Sequence, residues 1–142
     1  MPSWATCANG HLFRTCRGAA AAIARDGSAA RCLENGCTAT IAYHVKHHYP
    51  NKGSSKFTVT HVVRVNDDVQ AEREGYDPML LVLKDDKTGE SVLWTFYWTK
   101  NRKNKWHVGQ FPPLFDLSGF QRLLEGLPAD LRMSLGIRGS AA

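Results

Sequence analysis

The 142-residue sequence contains no apolar run approaching the ~20 residues that a membrane-spanning helix needs, so no membrane association is expected. Met1-Pro2-Ser3-Trp4 leads on without the charged start and apolar stretch of a secretory leader, which makes a reducing, cytoplasmic location the expectation. Internal repeats and long low-complexity tracts are lacking. So are a Walker loop, a dinucleotide-binding glycine fingerprint and a serine-nucleophile constellation, which removes the common signatures of nucleotide-dependent and acyl-transfer enzymes. Cysteine is scarce: there are four, and all lie between Cys7 and Cys37.

Their placement gives that scarcity a meaning. One end of the stretch reads Cys7-Ala8-Asn9-Gly10-His11 and the other Cys32-Leu33-Glu34-Asn35-Gly36-Cys37. Each pair brackets a tight turn, with a glycine immediately before the second ligand, where backbone close to a bound ion often needs positive φ. Three thiolates and one imidazole on two such turns satisfy tetrahedral zinc. The candidate metal ligands are therefore Cys7, His11, Cys32 and Cys37, and Zn2+ is the expected cofactor. Four available protein ligands point to a closed, structural site, since catalytic zinc keeps an open position. Cys16 is left over. Two disulfides, or inert buried thiols, are the competing readings. Disulfides are rare in reducing compartments, and clustering beside Gly-His argues against inert thiols.

Hydrophobic residues make up 43% of the chain, enough for the core of one compact domain or of a small metal module fused to another. The net charge of +5 is unevenly spread: residues 1–66 carry +6, residues 67–90 carry −5 and residues 91–142 carry +4. Cationic surfaces commonly meet nucleic acid or acidic membranes, while solubility alone is the simpler explanation. The division that follows is a zinc-binding module with a β-hairpin over 1–66, an acidic connector over 67–78, and an antiparallel sheet with C-terminal helices over 79–142. The alternative is a single continuous domain.

Along the chain, Trp4 and Phe13 flank the first turn and are expected to pack over the metal site. The alanine-rich stretch 17–26 predicts a short helix, ended by Gly27 in the left-handed conformation. Alternation puts Ala39, Ile41, Tyr43 and Val45 on one face of a strand. A turn over 50–55 follows, and the return strand puts Phe57, Val59, His61, Val63 and Val65 on one face. His61 then sits in an apolar row, as a hydrogen-bonded core histidine or, less simply, a ligand. One turn of helix before Gly75 fits the connector. Met79 to Leu83 is too apolar for a surface strand and is expected to be central. Ser91 to Thr99 is the most regular strand, with Val92, Trp94, Phe96 and Trp98 on one face. Trp106 to Gly109 forms a further strand. Pro112-Pro113 stops the sheet, and Ser118 with Gln121 forms a capping box for a helix carrying Phe120, Leu123, Leu124 and Leu127. A short amphipathic turn with Leu131 and Leu135 follows, and residues 136–142 form a frayed tail. The fold class is α+β: a small N-terminal zinc module packed on antiparallel hairpins, with a C-terminal helix closing the sheet.

The Cys-x-x-Gly-His-x-Phe start, followed by a distant cysteine pair, resembles the zinc-ribbon and treble-clef modules of many nucleic-acid-handling proteins. Cys32-x4-Cys37 followed by His61 is similar to the WRKY and FLYWCH type of DNA-binding finger. Val63 stands where that pattern has its second histidine, and the motif heptapeptide is absent, which leaves Cys7 and His11 as the better partners. Met79 to Leu127 is similar to single-stranded-DNA-binding coactivators of the positive-cofactor type, in which a curved antiparallel sheet with basic turns precedes a closing helix. These resemblances imply a nucleic-acid-binding protein, with DNA favoured over RNA and a role in transcription or genome maintenance.

The residue pattern leads to the same expectation by a separate route. Lys100, Arg102, Lys103 and Lys105 form a cationic loop after the aromatic strand, and Arg14, Arg17 and Arg31 rim the N-terminal module. Lysine and arginine neutralise phosphates, and exposed rings stack bases, for which Tyr97 and Trp106 are the candidates. Trp94, Phe96 and Trp98 are core by the simpler reading. A second reading is a metal-dependent nuclease using Asp77 and Asp85-Asp86-Lys87. A third is an accessory subunit that docks on a protein partner through the aromatic strand.

Overall fold

The computed structural model describes residues 3–14, 16–51, 53–109 and 117–136. These form β1 (Ser3–Cys7), β2 (Leu12–Phe13), α1 (Arg17–Asp26), β3 (Ile41–Tyr49), β4 (Gly53–Arg64), α2 (Asp68–Glu74), β5 (Tyr76–Asp85), β6 (Ser91–Lys100), β7 (Trp106–Val108), α3 (Leu117–Glu125) and α4 (Ala129–Ser134). The chain is thus α+β, as its sequence indicates. The strands are hydrogen-bonded in the order β2-β1-β3-β4-β5-β6-β7. The chain divides into two compact units: Met1–Val62 with Leu81–Trp94, and Val63–Leu80 with Thr95–Ala142. No helix among the described residues is long and apolar enough to cross a membrane.

In the first unit, α1 lays a row of small residues, Ala19 to Ala22 with Ile23, into the core against β3. Alanine favours the helix, and its short side chain lets the helix approach the strand closely. Strand β3 answers with Ile41, Tyr43 and Val45, all buried, and β4 continues the same face with Phe57 and Val59. Val45 lies opposite Phe57 and Ala5 opposite Tyr43, so one side of β1, β3 and β4 is apolar and covered. Gly27 takes positive φ, as expected, but its ψ of −137° lies outside the left-handed helical basin, and a 3-10 turn over Gly27–Ala29 continues the chain. Strand β1 has no counterpart among the strands that alternation marks. Trp4 on it leans on His44, with ring centroids 5.5 Å apart.

One face assignment fails. His61 is exposed, with Nδ1 3.0 Å from Thr60 Oγ1, and Val62 is buried in its place. The buried positions step from Val59 to Val62, so the alternation changes phase there and a strict two-residue period misplaces His61 and Val62.

In the second unit, the acidic stretch is structured. Asp67 Oδ1 accepts from Gln70 N at 2.8 Å, capping α2, and Gly75 in the left-handed conformation (φ 62°, ψ 30°) ends it. Strand β5 then starts at Tyr76, ahead of the expected Met79. Met79 to Leu83 is buried throughout, as a central strand requires. Asp77 is wholly buried and is held by Arg64, whose Nε and Nη2 donate to its two oxygens at 3.1 and 2.8 Å. Arg64 Nη1 donates to Asp68 at 2.7 Å. Burial alone would disfavour the guanidinium charge, but these carboxylates outweigh it and hold Arg64 more firmly protonated than usual.

Leu123 on α3 and Leu127 just past its end are buried, whereas Phe120 on α3 is exposed. Tyr97 packs on Tyr76 at 5.3 Å and directly over Gly109, where an added Cβ would lie 1.9 Å from its ring. Pro112-Pro113, the Ser118 side chain and residues 137–142 fall outside the described residues.

Breaking a buried ion pair from one side leaves a charge without compensation, typically at about 3–5 kcal/mol. Arg64→Met should therefore lower the unfolding free energy by about that amount in a urea titration. A decrease below about 1 kcal/mol would mean that Asp77 is solvated or protonated at little cost.

Candidate metal centre

The β1–β3 ladder assembles the site. Its register pairs Cys7 with Ile41 and Ala5 with Tyr43, which sets the end of β1 beside the chain leaving Cys37. The first turn closes through Gly10 N–H to Cys7 O at 3.0 Å and Cys7 N–H to His11 O at 3.3 Å. The second closes through Cys37 N–H to Glu34 O at 3.1 Å, and Cys32 N–H bonds Ala39 O at 2.8 Å, anchoring it to the approach to β3. Gly10 and Gly36 have φ of 86° and 80°, the positive values expected from their position before each second ligand.

These two turns bring Cys7, His11, Cys32 and Cys37 together, with one ligand atom from each and all four atoms within 4.8 Å of one another. Cys7 Sγ lies 3.2 Å from His11 Nδ1 and 3.9 Å from Cys37 Sγ, and Cys32 Sγ lies 3.5 Å from His11 Nδ1. The cluster can hold a metal ion. It is the set of ligands that the sequence spacing proposes.

Its electrostatics favour anionic sulfur at two of the three thiols, Cys7 and Cys37. Asn9 Nδ2 donates to Cys37 Sγ at 3.4 Å, and with the backbone N–H of Ala39 it lowers that thiol to about 6. Burial pushes Cys7 up, but backbone donors at His11 and Asn9 outweigh it and leave this thiol below its ordinary value. His11 is raised by its hydrogen bonds to Cys7 and then Cys37. Cys32 is raised, chiefly by burial, despite the donor Glu34 N–H at 3.5 Å. Spacing alone assigns Asn9 no role. The signal available for it was a side-chain amide inside the first turn, two residues from its first ligand.

Cys16 stands apart. It is wholly buried at the start of α1, its S–H directed at Phe13 O and Arg14 O at 3.5 and 3.6 Å, and burial raises it to about 11. Neither Cys16 nor the exposed His61 belongs to the cluster.

The other candidates are scattered through the two units. Lys100 forms an ion pair with Glu72, its ammonium 5.3 Å from the Trp106 ring centroid, and the Trp106 indole N–H donates to Glu72 at 3.3 Å. Tyr97 is the ring packed over Gly109. Arg102, Lys103 and Lys105 are exposed on a loop whose backbone is fixed by Asn101, with Oδ1 accepting from Lys103 N and Lys105 N at 2.9 and 3.0 Å. Arg14 and Arg31 are exposed, and Arg17 is half-buried in the first turn of α1. Of the carboxylates considered for a nuclease, Asp77 is bound to Arg64. Asp85 Oδ1 accepts from Lys87 N and Thr88 N at 2.8 and 3.0 Å, as an ordinary turn residue does. Asp86 accepts from the Thr58 hydroxyl at 2.6 Å.

No family model, curated protein or solved structure matches this chain.

Outer hydrogen bonds to metal ligands typically contribute 10–100-fold in affinity. Asn9→Ala, at an exposed position, should weaken metal binding by about 10–100-fold in a chelator competition, with little change in fold. Cys16→Ala should keep full metal content. Metal loss from Cys16→Ala together with retention by His11→Ala would replace the imidazole with an all-cysteine set.

Proposed function

We propose that the chain is a small nucleic-acid-binding protein whose N-terminal turns are organised by one structural zinc ion. The observation that carries the metal is the spacing of the four ligand atoms. Zinc at about 2.3 Å from sulfur and about 2.0–2.1 Å from nitrogen, with tetrahedral angles, separates sulfurs by about 3.8 Å and sulfur from nitrogen by about 3.5 Å. Three of the six separations here are 3.9 Å, and 3.2 and 3.5 Å, and all six lie within 4.8 Å. Three sulfurs and one imidazole suit zinc better than calcium or magnesium, which prefer oxygen ligands. With every position taken by protein the ion is structural, and its binding free energy becomes folding free energy for the first unit.

Nucleic acid is supported by the distribution of cations. Arg102, Lys103 and Lys105 stand exposed on a short loop with a fixed backbone, close enough in sequence to repel one another. A polyanion relieves that repulsion. The charge pattern of the chain, basic at both ends and acidic between, supports the same class of partner. DNA is the favoured target. An accessory role through a protein partner is the alternative, and salt separates the two: phosphate-driven binding weakens steeply as salt rises, whereas an apolar interface does not.

Protein purified without chelator should carry one zinc per chain by elemental analysis. Cys32→Ser should lose the ion and much of the fold of the first unit. A metal-free protein with its thiols paired as disulfides would sink the zinc assignment. In gel-shift titrations at two salt concentrations, replacing Arg102, Lys103 and Lys105 by serine should weaken binding. The salt slope should fall by roughly one unit for each phosphate that is no longer neutralised. Unchanged affinity and slope would remove this loop from the binding surface.

A further inference from the structure

Strand alternation gives the first unit a second face, opposite the buried one. Tyr43, Val45, Phe57, Val59 and Ala5 point into the core, so the residues between them point outward. Trp4, His44 and Thr58 form one cross-strand row, Lys46 and Lys56 the next, and His48 and Ser54 the one beyond.

Trp4 is the unusual member. It is half-buried on β1, where β3 lies alongside at His44 while β2 pairs only with Ala5 and Thr6. Its ring lies 5.5 Å from that of His44 at an interplanar angle of 31°, and Lys56 Nζ is 5.8 Å from its centroid. Burial, and then the charge of Lys56, keep His44 below its ordinary value, so at neutral pH its ring adds flat surface without adding charge.

Lys46 and Lys56 lie directly opposite each other and are both exposed. Like charges at directly opposed positions destabilise a ladder. Asp86 relieves part of this, 3.8 Å from Lys56, while it also accepts the Thr58 hydroxyl. One carboxylate against two ammonium groups leaves the row positive, beside a half-buried indole. A protein–protein interface would favour burying the ring among apolar neighbours and depletes lysine at its core. A polyanion with accessible ring faces matches both features.

We propose that this outward face of β1, β3 and β4 receives a single-stranded nucleic acid, with a base stacked on Trp4 and backbone phosphates at Lys46 and Lys56. The inference rests on the nucleic-acid-binding reading above and names its substrate class. Stacking requires an unpaired base, because a duplex hides the ring faces. The Arg102–Lys105 loop is a separate cationic feature.

The test uses the full chain with its zinc, labelled oligothymidine as the single strand, and a mixed-sequence duplex. The parent should bind the single strand more tightly. Trp4→Ala should weaken that binding by about 5- to 150-fold, and Trp4→Phe, which keeps a ring, by much less. Lys46→Ser with Lys56→Ser should lower the single-strand salt slope by about 1.4 units. Duplex affinity should change less than single-strand affinity in each variant. Zinc content and melting temperature are measured throughout. If Trp4→Ala does not fold, the exposed lysine pair decides.

Single-strand affinity and slope unchanged in the lysine variant, with a folded Trp4→Ala also matching the parent, would overturn this face while leaving nucleic-acid binding intact. A parent that binds neither probe would overturn both.

Discussion

Cys7 and Cys37 lie 30 residues apart, and bringing them within 4 Å closes a loop of that length. Closure costs about 3 kcal/mol in chain entropy beyond a constant term. Two interactions offset it. The β1–β3 ladder, from Ser3 opposite Val45 to Cys7 opposite Ile41, holds the loop shut through backbone hydrogen bonds. The sulfur–imidazole cluster closes the same loop at its ends. Three thiols and an imidazole within 4.8 Å of one another are not explained as apolar packing, since the His11 ring is polar and hydrogen-bonds the sulfurs. A cation at the centre would be held by all four groups, and it would couple the first turn to the second.

The same constraint explains why the site was legible in the sequence and much of its surroundings was not. Ligand pairs separated by three or four residues are local. The turn and its positive-φ glycine are encoded in the same few positions, so Cys7, His11, Cys32 and Cys37 could be read from spacing. Strand β1 could not be. Its five residues, Ser3 to Cys7, show too little alternation to mark a strand, and it exists because β3 offers a partner nearly 40 residues away. His61 failed for a different reason. The period-two rule presumes an unbroken ladder, and the phase change between Val59 and Val62 turns that histidine outward. Asn9 was missed because its contribution is made only once Cys37 has been brought alongside.

Charge follows a related logic. Counting cations in a loop treats them as equivalent, and the folded chain does not. Lys100 lies at the strand end, paired with Glu72 and covering Trp106, so one cation and one ring of the expected footprint hold α2 to the start of β7. Arg102, Lys103 and Lys105 lie beyond the strand and stay exposed. The acidic stretch that reads as a connector supplies Glu72 for that pairing and Asp77 for Arg64. Its negative charge is therefore used within the second unit.

Strand β1 carries three features, one on each face and one at its end. Trp4 points outward, Ala5 inward, and Cys7 ends the strand in the cluster. A five-residue strand between a two-residue edge strand and β3 has few hydrogen bonds of its own with which to hold the indole steady. A metal that fixed Cys7 to Cys32 and Cys37 would immobilise the far end of β1 and so limit how Trp4 can rotate or peel from His44. On the proposed function, the metal would never touch nucleic acid. Its part would be to keep an aromatic platform rigid three residues away, which lowers the ordering cost that binding would otherwise carry.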